Sequence, residues 1–493
     1  MEIKRLVIVS NRLPVVVGKD DNGKINFKKG SGGLVTAVSP VLKDKGGIWI
    51  GWQGCDGTPD IDELLNDAGT DTGYMLKSVN ISKTEINHYY YGFSNEILWP
   101  LFHDLPDRCN FNPGYFNYYK TVNRKFADVI ARETNENDYI WVQDYHMALL
   151  ASILKEMNVK RTLGYFLHIP FPPLDMFLKL PWRKEILEGL LGYELVGFQT
   201  SRDRRNFLQC VRALISGTRT SGRGAVVEIT TPDTKLRAGS FPISIDYRDF
   251  NTRAKSKNVA DAAWHIHERL PGRKLILGID RLDYSKGIPE RIRAIEYALT
   301  KYPSLKEKIT YIQVVVPSRT EVPEYQNLKA EIERLVGEVN GKFTAPGWTP
   351  IHYIFGSLSQ EQLLGYYRTC EIALITPLKD GMNLVAKEYC ASSVEDNGVL
   401  ILSEFAGAAA QLNCGAILVN PFDTEGVADA IFKAFNMEKQ ERNRRMRTLR
   451  RSIARADIFR WVDDYLRAAI AKDLSEIYGE DDEMPVSMAV QTI

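Results

Sequence analysis

Residues 371–389 read E-I-A-L-I-T-P-L-K-D-G-M-N-L-V-A-K-E-Y. The apolar run Ile372-Ala373-Leu374-Ile375 has the pattern of a short buried strand, and Pro377 ends it. Asp380-Gly381 marks a tight turn. From Met382 the pattern becomes helical, with Leu384, Val385 and Glu388 on adjacent turns of one face. Strand, glycine turn and helix start in succession place backbone N–H groups and a positive helix end at the C-terminal edge of a sheet, where an anion binds well. Asp380 stands in that turn, and Glu388 is placed to accept hydrogen bonds from a diol such as a ribose. A surface turn before an ordinary amphipathic helix has the same pattern, so the ligand reading depends on the rest of the chain.

On the N-terminal side of this stretch lies a second strand end of the same kind. Leu275–Ile279 runs into Asp280-Arg281-Leu282-Asp283-Tyr284-Ser285-Lys286-Gly287. Two cations five residues apart, in a strand-to-helix loop closed by glycine, suit a diphosphate: Arg281 by its fork and Lys286 as a point charge. A solvated charged turn is the alternative. Tyr311–Val316 delivers Pro317-Ser318-Arg319, and strands at Ile351–Phe355 and Val399–Leu402 complete the series.

Further upstream another α/β series begins at Leu6–Val9, which ends in Ser10-Asn11-Arg12-Leu13-Pro14. Gly30-Ser31-Gly32-Gly33 is a glycine turn opening a helix, a form that lets backbone approach a phosphate. Gly47–Trp52 reads as a strand with Trp49 and Trp52 expected on one side. His88–Trp99 is dense in aromatics with polar handles, a composition that fits a sugar-binding wall or a core. Strands at Tyr139–Val142 and Leu163–Leu167 deliver Asp144 and His168 at their C-terminal ends, and the prolines after His168 hold it in a rigid loop. The expected architecture is α/β, two doubly wound domains facing a central cleft. The first covers 1–246 and the second 247–456. A helix in 457–478 returns to the first domain, and 479–493 forms a frayed tail.

At 493 residues the chain exceeds one ordinary core. The net charge of +1 gives no bulk case for nucleic acid or an acidic membrane. The basic helix between Gln440 and Arg455 lacks interleaved aromatics and reads as solvated surface. Six scattered cysteines without a C-x-x-C pair argue against a disulfide framework or zinc site and fit a reducing cytoplasm. No apolar run reaches the roughly 18 residues of a membrane helix.

S-N-R-L-P, G-S-G-G-L, W-I-G-W, F-S-N-E-I-L-W-P, Q-D-Y-H, L-H-I-P-F-P, G-F-Q-T, R-L-D-Y-S-K-G, P-S-R and P-L-K-D-G-M-N-L-V-A-K-E-Y follow one another in fixed order. Over roughly residues 3–470 the chain resembles the trehalose-6-phosphate synthase family, retaining glycosyltransferases of family 20 with the GT-B fold. The resemblance implies UDP-glucose as donor, glucose 6-phosphate as acceptor, and α,α-trehalose 6-phosphate plus UDP as products. It implies no cofactor and no metal. No phosphatase segment follows, so a separate trehalose-6-phosphate phosphatase is expected as pathway partner; assembly into a homo-oligomer is left open. Sibling chemistry with GDP- or ADP-glucose or with glycerol 3-phosphate, and an inactive regulatory subunit, are the competing readings.

Matched by position, the resemblance assigns Arg281, Lys286, Asp380 and His168 to catalysis. Arg281 and Lys286 would meet the donor diphosphate, with Asp380 and His168 on the transferred glucose. Gly32, Gly33, Leu358, Asn383, Leu384, Val385 and Glu388 would bind the rest of the donor. Arg12 and Arg319 would hold the acceptor phosphate, with Trp52, Tyr90, Trp99 and Asp144 shaping its sugar site. Retention without an assignable carboxylate nucleophile implies same-face substitution, in which the leaving diphosphate takes the acceptor's proton.

Overall fold

A computed structural model describes residues 5–19, 25–29, 33–54, 65, 73–319, 322–471 and 474–477. Gly32 and the expected tail lie outside the described residues. The chain divides into two compact units, Met1–Pro242 with Phe459–Ile493, and Ile243–Ile458.

The first unit contains β1 (Arg5–Arg12), β2 (Val15–Lys19), β3 (Ile25–Lys29), β4 (Ile48–Trp52), β5 (Met75–Ser78), β6 (Asp138–Gln143), β7 (Thr162–Phe166), β8 (Leu195–Phe198), β9 (Arg219–Ser221), β10 (Val226–Thr230) and β11 (Lys235–Ser240). Nine of them form one sheet in the order β5-β4-β1-β6-β7-β8-β11-β10-β9, and β2 and β3 pair apart. The pairings from β5 to β11 are parallel; β10 and β9 close the edge antiparallel. Every residue of β6 is buried, as expected of a parallel strand covered on both faces. Strand order reverses between β1 and β6, so the C-terminal ends of these two strands flank the switch point, where α/β sheets place their ligands. Arg12 ends β1 and Asp144 follows β6.

The helix Ile458–Ile470 packs on this sheet through aromatic rings. Tyr465 stacks on Trp141 at 4.2 Å, Trp461 lies 5.0 Å from Trp141, and Trp461 Nε1 donates to the Phe241 carbonyl.

The second unit contains β12 (Lys274–Arg281), β13 (Ile309–Val316), β14 (Ile351–Phe355), β15 (Ile372–Ile375), β16 (Val399–Ser403) and β17 (Ile417–Val419). They form one parallel sheet in the order β14-β13-β12-β15-β16-β17, the doubly wound order of a dinucleotide-binding domain. Its switch point lies between β12 and β15. These are the strands that run into the Arg281–Gly287 loop and the Thr376–Asn383 loop.

Candidate active-site residues

In the second unit, β12 ends at Arg281, whose side chain is exposed. The loop beyond it is shaped by Asp283, which the sequence reading passed over: its Oδ1 accepts from both the amide and the hydroxyl of Ser285 at 2.9 Å. Gly287 then turns the chain at φ 63°, and a Cβ there would come 2.6 Å from the Thr376 carbonyl. A side chain at this position would therefore push apart the two loops of the switch point. The fully buried Arg291 also ties them together. It donates to Asp280 Oδ2 at 2.7 Å, Gln313 Oε1 at 3.3 Å, Thr376 Oγ1 at 3.1 Å and the Lys286 carbonyl at 3.0 Å. Burial pushes the Asp280 carboxyl upward, and the Arg291 charge opposes that.

Lys286 Nζ lies 2.6 Å from Asp380 Oδ2, with both side chains mostly buried. Asn383 Nδ2 donates to the same oxygen at 3.2 Å, while its Oδ1 caps the helix Leu384–Ser392 by accepting from Ala386 N. The first-turn N–H groups of Leu384 and Val385 have no acceptor within their own helix. Glu388, one turn on, accepts from the Tyr367 hydroxyl at 2.9 Å, and burial raises its carboxyl pKa. Arg319 has a positive φ of 48°; its guanidinium donates to the Tyr325 hydroxyl at 2.5 Å and lies 3.9 Å from Asp283 Oδ2. Leu358 is half-buried in the loop after β14. Arg281, Lys286, Asp380, Asn383, Leu384, Val385 and Glu388 thus gather on the loops and helix that follow two adjacent strands.

In the first unit, the exposed Arg12 guanidinium lies 4.9 Å from the Trp52 ring centre and 5.7 Å from that of Tyr90. Tyr90 also stacks on His146 at 5.8 Å, so its ring neighbours both a cation and an imidazole. Trp52 and Trp49 do not share a face as expected. They are three positions apart, and an odd spacing sends side chains to opposite faces of a pleated strand. Trp49 goes into the core and donates to Ser10 Oγ, and Trp52 meets Arg12 and Tyr90. Trp99 is buried, 4.3 Å from the His103 ring and 5.8 Å from Tyr145. Gly33 is the first residue of the helix Gly33–Lys45.

Asp144 adopts φ 72° and ψ 169°, backbone space nearly reserved for glycine and a mark of functional positions. It is locked there by its own amide, which donates to the Phe166 carbonyl at 2.7 Å, and its Oδ1 accepts from the His168 amide at 3.2 Å. Burial pushes the His168 imidazole down to about 3, so it is neutral at ordinary pH. Its Nε2 lies 2.9 Å from Gln143 Oε1, and with the Gln143 amide in this orientation Nε2 is the donor and Nδ1 the acceptor.

Asp283, Arg291, His146 and Gln143 escaped the sequence reading. Asp283 was legible as a turn-capping aspartate two residues before a serine; the other three carry no local signal. Among the described residues no group of three or more His, Cys, Asp and Glu could hold a metal ion, and no helix is long and apolar enough to cross a membrane. The five described cysteines are free thiols.

The model of glycosyltransferase family 20 matches residues 4–470. The chain is 42% identical over 485 residues to the UDP-forming α,α-trehalose-phosphate synthase A of Dictyostelium discoideum, covering 97% of this chain and 64% of that one, so it spans just under two thirds of that relative's length. Among solved structures it superposes at a TM-score of 0.85 on a trehalose-6-phosphate protein of E. coli bound with UDP-2-fluoro glucose. That match has 36% identity and covers 94% of this chain and 98% of the other. A Burkholderia xenovorans α,α-trehalose-phosphate synthase in complex with glucose-6-phosphate also matches at a TM-score of 0.85, with 33% identity over 95% of this chain and 100% of that one. With two doubly wound units of this topology and a family match over nearly its whole length, the chain belongs to glycosyltransferase family 20 and has the GT-B fold.

Proposed function

We propose that this chain transfers glucose from UDP-glucose to glucose 6-phosphate with retention, giving α,α-trehalose 6-phosphate and UDP. The observation that carries the reading is the Lys286–Asp380 pair at the switch point of β12 and β15, beside the N-terminus of the helix Leu384–Ser392. A cation, a carboxylate and first-turn N–H groups with no acceptor inside their own helix, all at one strand edge, suit a sugar joined to a diphosphate. The relatives named above support the same pair of substrates.

In this reading Arg281 and Lys286 take the diphosphate oxygens and stabilise the charge that grows on them as the glycosidic bond breaks. The first-turn N–H groups of Leu384 and Val385 add backbone donors, and Glu388 takes the ribose hydroxyls. Asp380 and His168 orient the transferred glucose; His168 Nδ1, unprotonated, accepts from a sugar hydroxyl. Arg12 and Arg319 take the acceptor phosphate, while Trp52 and Tyr90 offer aromatic faces to its sugar. Asp144 takes an acceptor hydroxyl. The acceptor oxygen attacks the anomeric carbon on the face the diphosphate leaves, and its proton passes to a departing phosphate oxygen. Positioning and charge stabilisation supply the catalysis. The product is a phosphate ester, so a phosphatase reaction must follow if free trehalose is to form. We also place the chain in the cytoplasm, which the scattered free thiols support.

The test is nucleotide release from UDP-, GDP- and ADP-glucose, each with glucose 6-phosphate and with glycerol 3-phosphate. Turnover is expected with UDP-glucose and glucose 6-phosphate; turnover confined to another pair overturns the substrate assignment.

A further inference from the structure

Tyr90, proposed above to face the acceptor sugar, sits on a helix of uncommon pitch. Ile86–Leu98 is a π-helix thirteen residues long, whereas π geometry mostly occurs as a single turn inside an α-helix, often at a functional site. Its i→i+5 repeat brings Asn95 under Tyr90, and Asn95 Nδ2 donates to the Tyr90 carbonyl at 2.6 Å. The other end of the same amide, Oδ1, accepts from the Tyr145 hydroxyl at 2.9 Å. Asn95 is 3% exposed. A second strut joins the helix to β1: the Tyr89 hydroxyl donates to Asn11 Oδ1 at 3.0 Å, one residue before Arg12.

The two partners of Asn95 matter because of what lies next to them. The Tyr90 ring is the one that neighbours both Arg12 and His146. Tyr145 follows Asp144, the residue held at positive φ. One buried amide therefore links the aromatic wall to the strained carboxylate turn. An α-helical register over the same residues would rotate Asn95 away from the Tyr90 carbonyl and break the link.

We propose that Asn95 is a positioning residue for the acceptor: it fixes the π register and locks Tyr90 to the Asp144 turn, so that ring and carboxylate engage one sugar. This rests on the reading of Arg12, Tyr90 and Asp144 as acceptor ligands. Asn95 touches no substrate itself. A core amide that merely satisfies Tyr145 would affect stability without favouring one substrate over the other.

The experiment is steady-state kinetics with UDP-glucose and glucose 6-phosphate varied independently, for the wild type, Asn95→Ala, Tyr145→Phe and Arg12→Ala, with a thermal melt of each. Asn95→Ala is expected to raise the acceptor KM about tenfold, the scale of one lost hydrogen bond, with the donor KM within about twofold of wild type. Tyr145→Phe, which removes only the hydroxyl, is expected to show the same selective rise at smaller size, and it decides alone if Asn95→Ala does not fold. An unchanged acceptor KM in both, or an equal rise in both KM values, overturns the inference while a raised acceptor KM in Arg12→Ala leaves the acceptor reading standing. An unchanged acceptor KM in Arg12→Ala overturns that reading, and the inference with it.

Discussion

Lys286 Nζ and Asp380 Oδ2 lie 2.6 Å apart, with side-chain exposures of only 11% and 14%. The cation proposed for the donor diphosphate and the carboxylate proposed for the transferred sugar are thus paired with each other. In the proposed mechanism, donor binding exchanges this contact for two others. Asp380→Asn is expected to lower kcat by about 10²-fold or more while UDP binds as tightly as before or tighter, because Lys286 loses a competing anion. Calorimetric titration with UDP beside turnover measurement checks this; UDP binding weakened more than about tenfold in a folded variant contradicts it.

Arg281 differs from Lys286 in being exposed at the end of its strand. Arg281→Ala is expected to cut turnover by about 10²–10³-fold, the scale of losing one group that stabilises developing charge, with the melting temperature unchanged. Near-normal turnover would remove Arg281 from the diphosphate site.

Arg319 is expected to act on the acceptor, and its packing adds a second consequence. Arg319→Ala should raise the acceptor KM by about tenfold or more and also lower the melting temperature, because the buried Asp283 loses its nearby cation. An acceptor KM equal to that of wild type assigns the acceptor phosphate to other residues.

His168 supplies a pH test. Its folded-state pKa, about 3, lies below the ordinary histidine value because burial disfavours the charged ring. The unfolded chain therefore takes up this proton first as pH falls. The stability held by neutral His168 is complete above about pH 6.5 and is lost progressively toward pH 3. Its imidazole resonances should not titrate between about pH 5 and pH 8; a midpoint near 6.5 would contradict the neutral assignment.

Lys387 sits beside Glu388, the residue proposed for the ribose hydroxyls, and is fully buried, with Nζ donating to the Ile243 carbonyl at 2.7 Å. Burial pulls its pKa down to about 7. The folded chain thus releases this proton near pH 7, whereas the unfolded chain keeps it to about pH 10.4. The cost of burying the charge is full below pH 7 and fades as pH rises. Lys387→Met should therefore gain stability relative to wild type by about 2 kcal/mol more at pH 6 than at pH 9. Denaturant unfolding of both proteins at both pH values checks this, and a pH-independent difference contradicts it.

The strand ends were legible because their signals are local. An apolar run followed by glycine and charge marks a switch-point loop whatever the rest of the chain does, and Arg281, Lys286, Asp380 and Glu388 all lie on such loops or on the helix turn after one. What the residues could not show is long-range or off-period. Arg291 gathers partners from three stretches of the chain, two of them more than twenty residues away from it. The π-helix of Ile86–Leu98 follows neither the strand nor the α-helix repeat, so His88–Trp99 could be read only as composition. The positive φ of Asp144 is invisible in a sequence, since the residue type that would announce it is glycine. The tryptophan pair of β4 failed on simple parity.

Product NMR after incubation with UDP-glucose and glucose 6-phosphate tests the proposed transfer itself. A single product is expected in which both anomeric carbons are α and joined 1,1, with one UDP formed per linkage. A β linkage from the donor carbon, or no product from this pair while another donor or acceptor turns over, would contradict it.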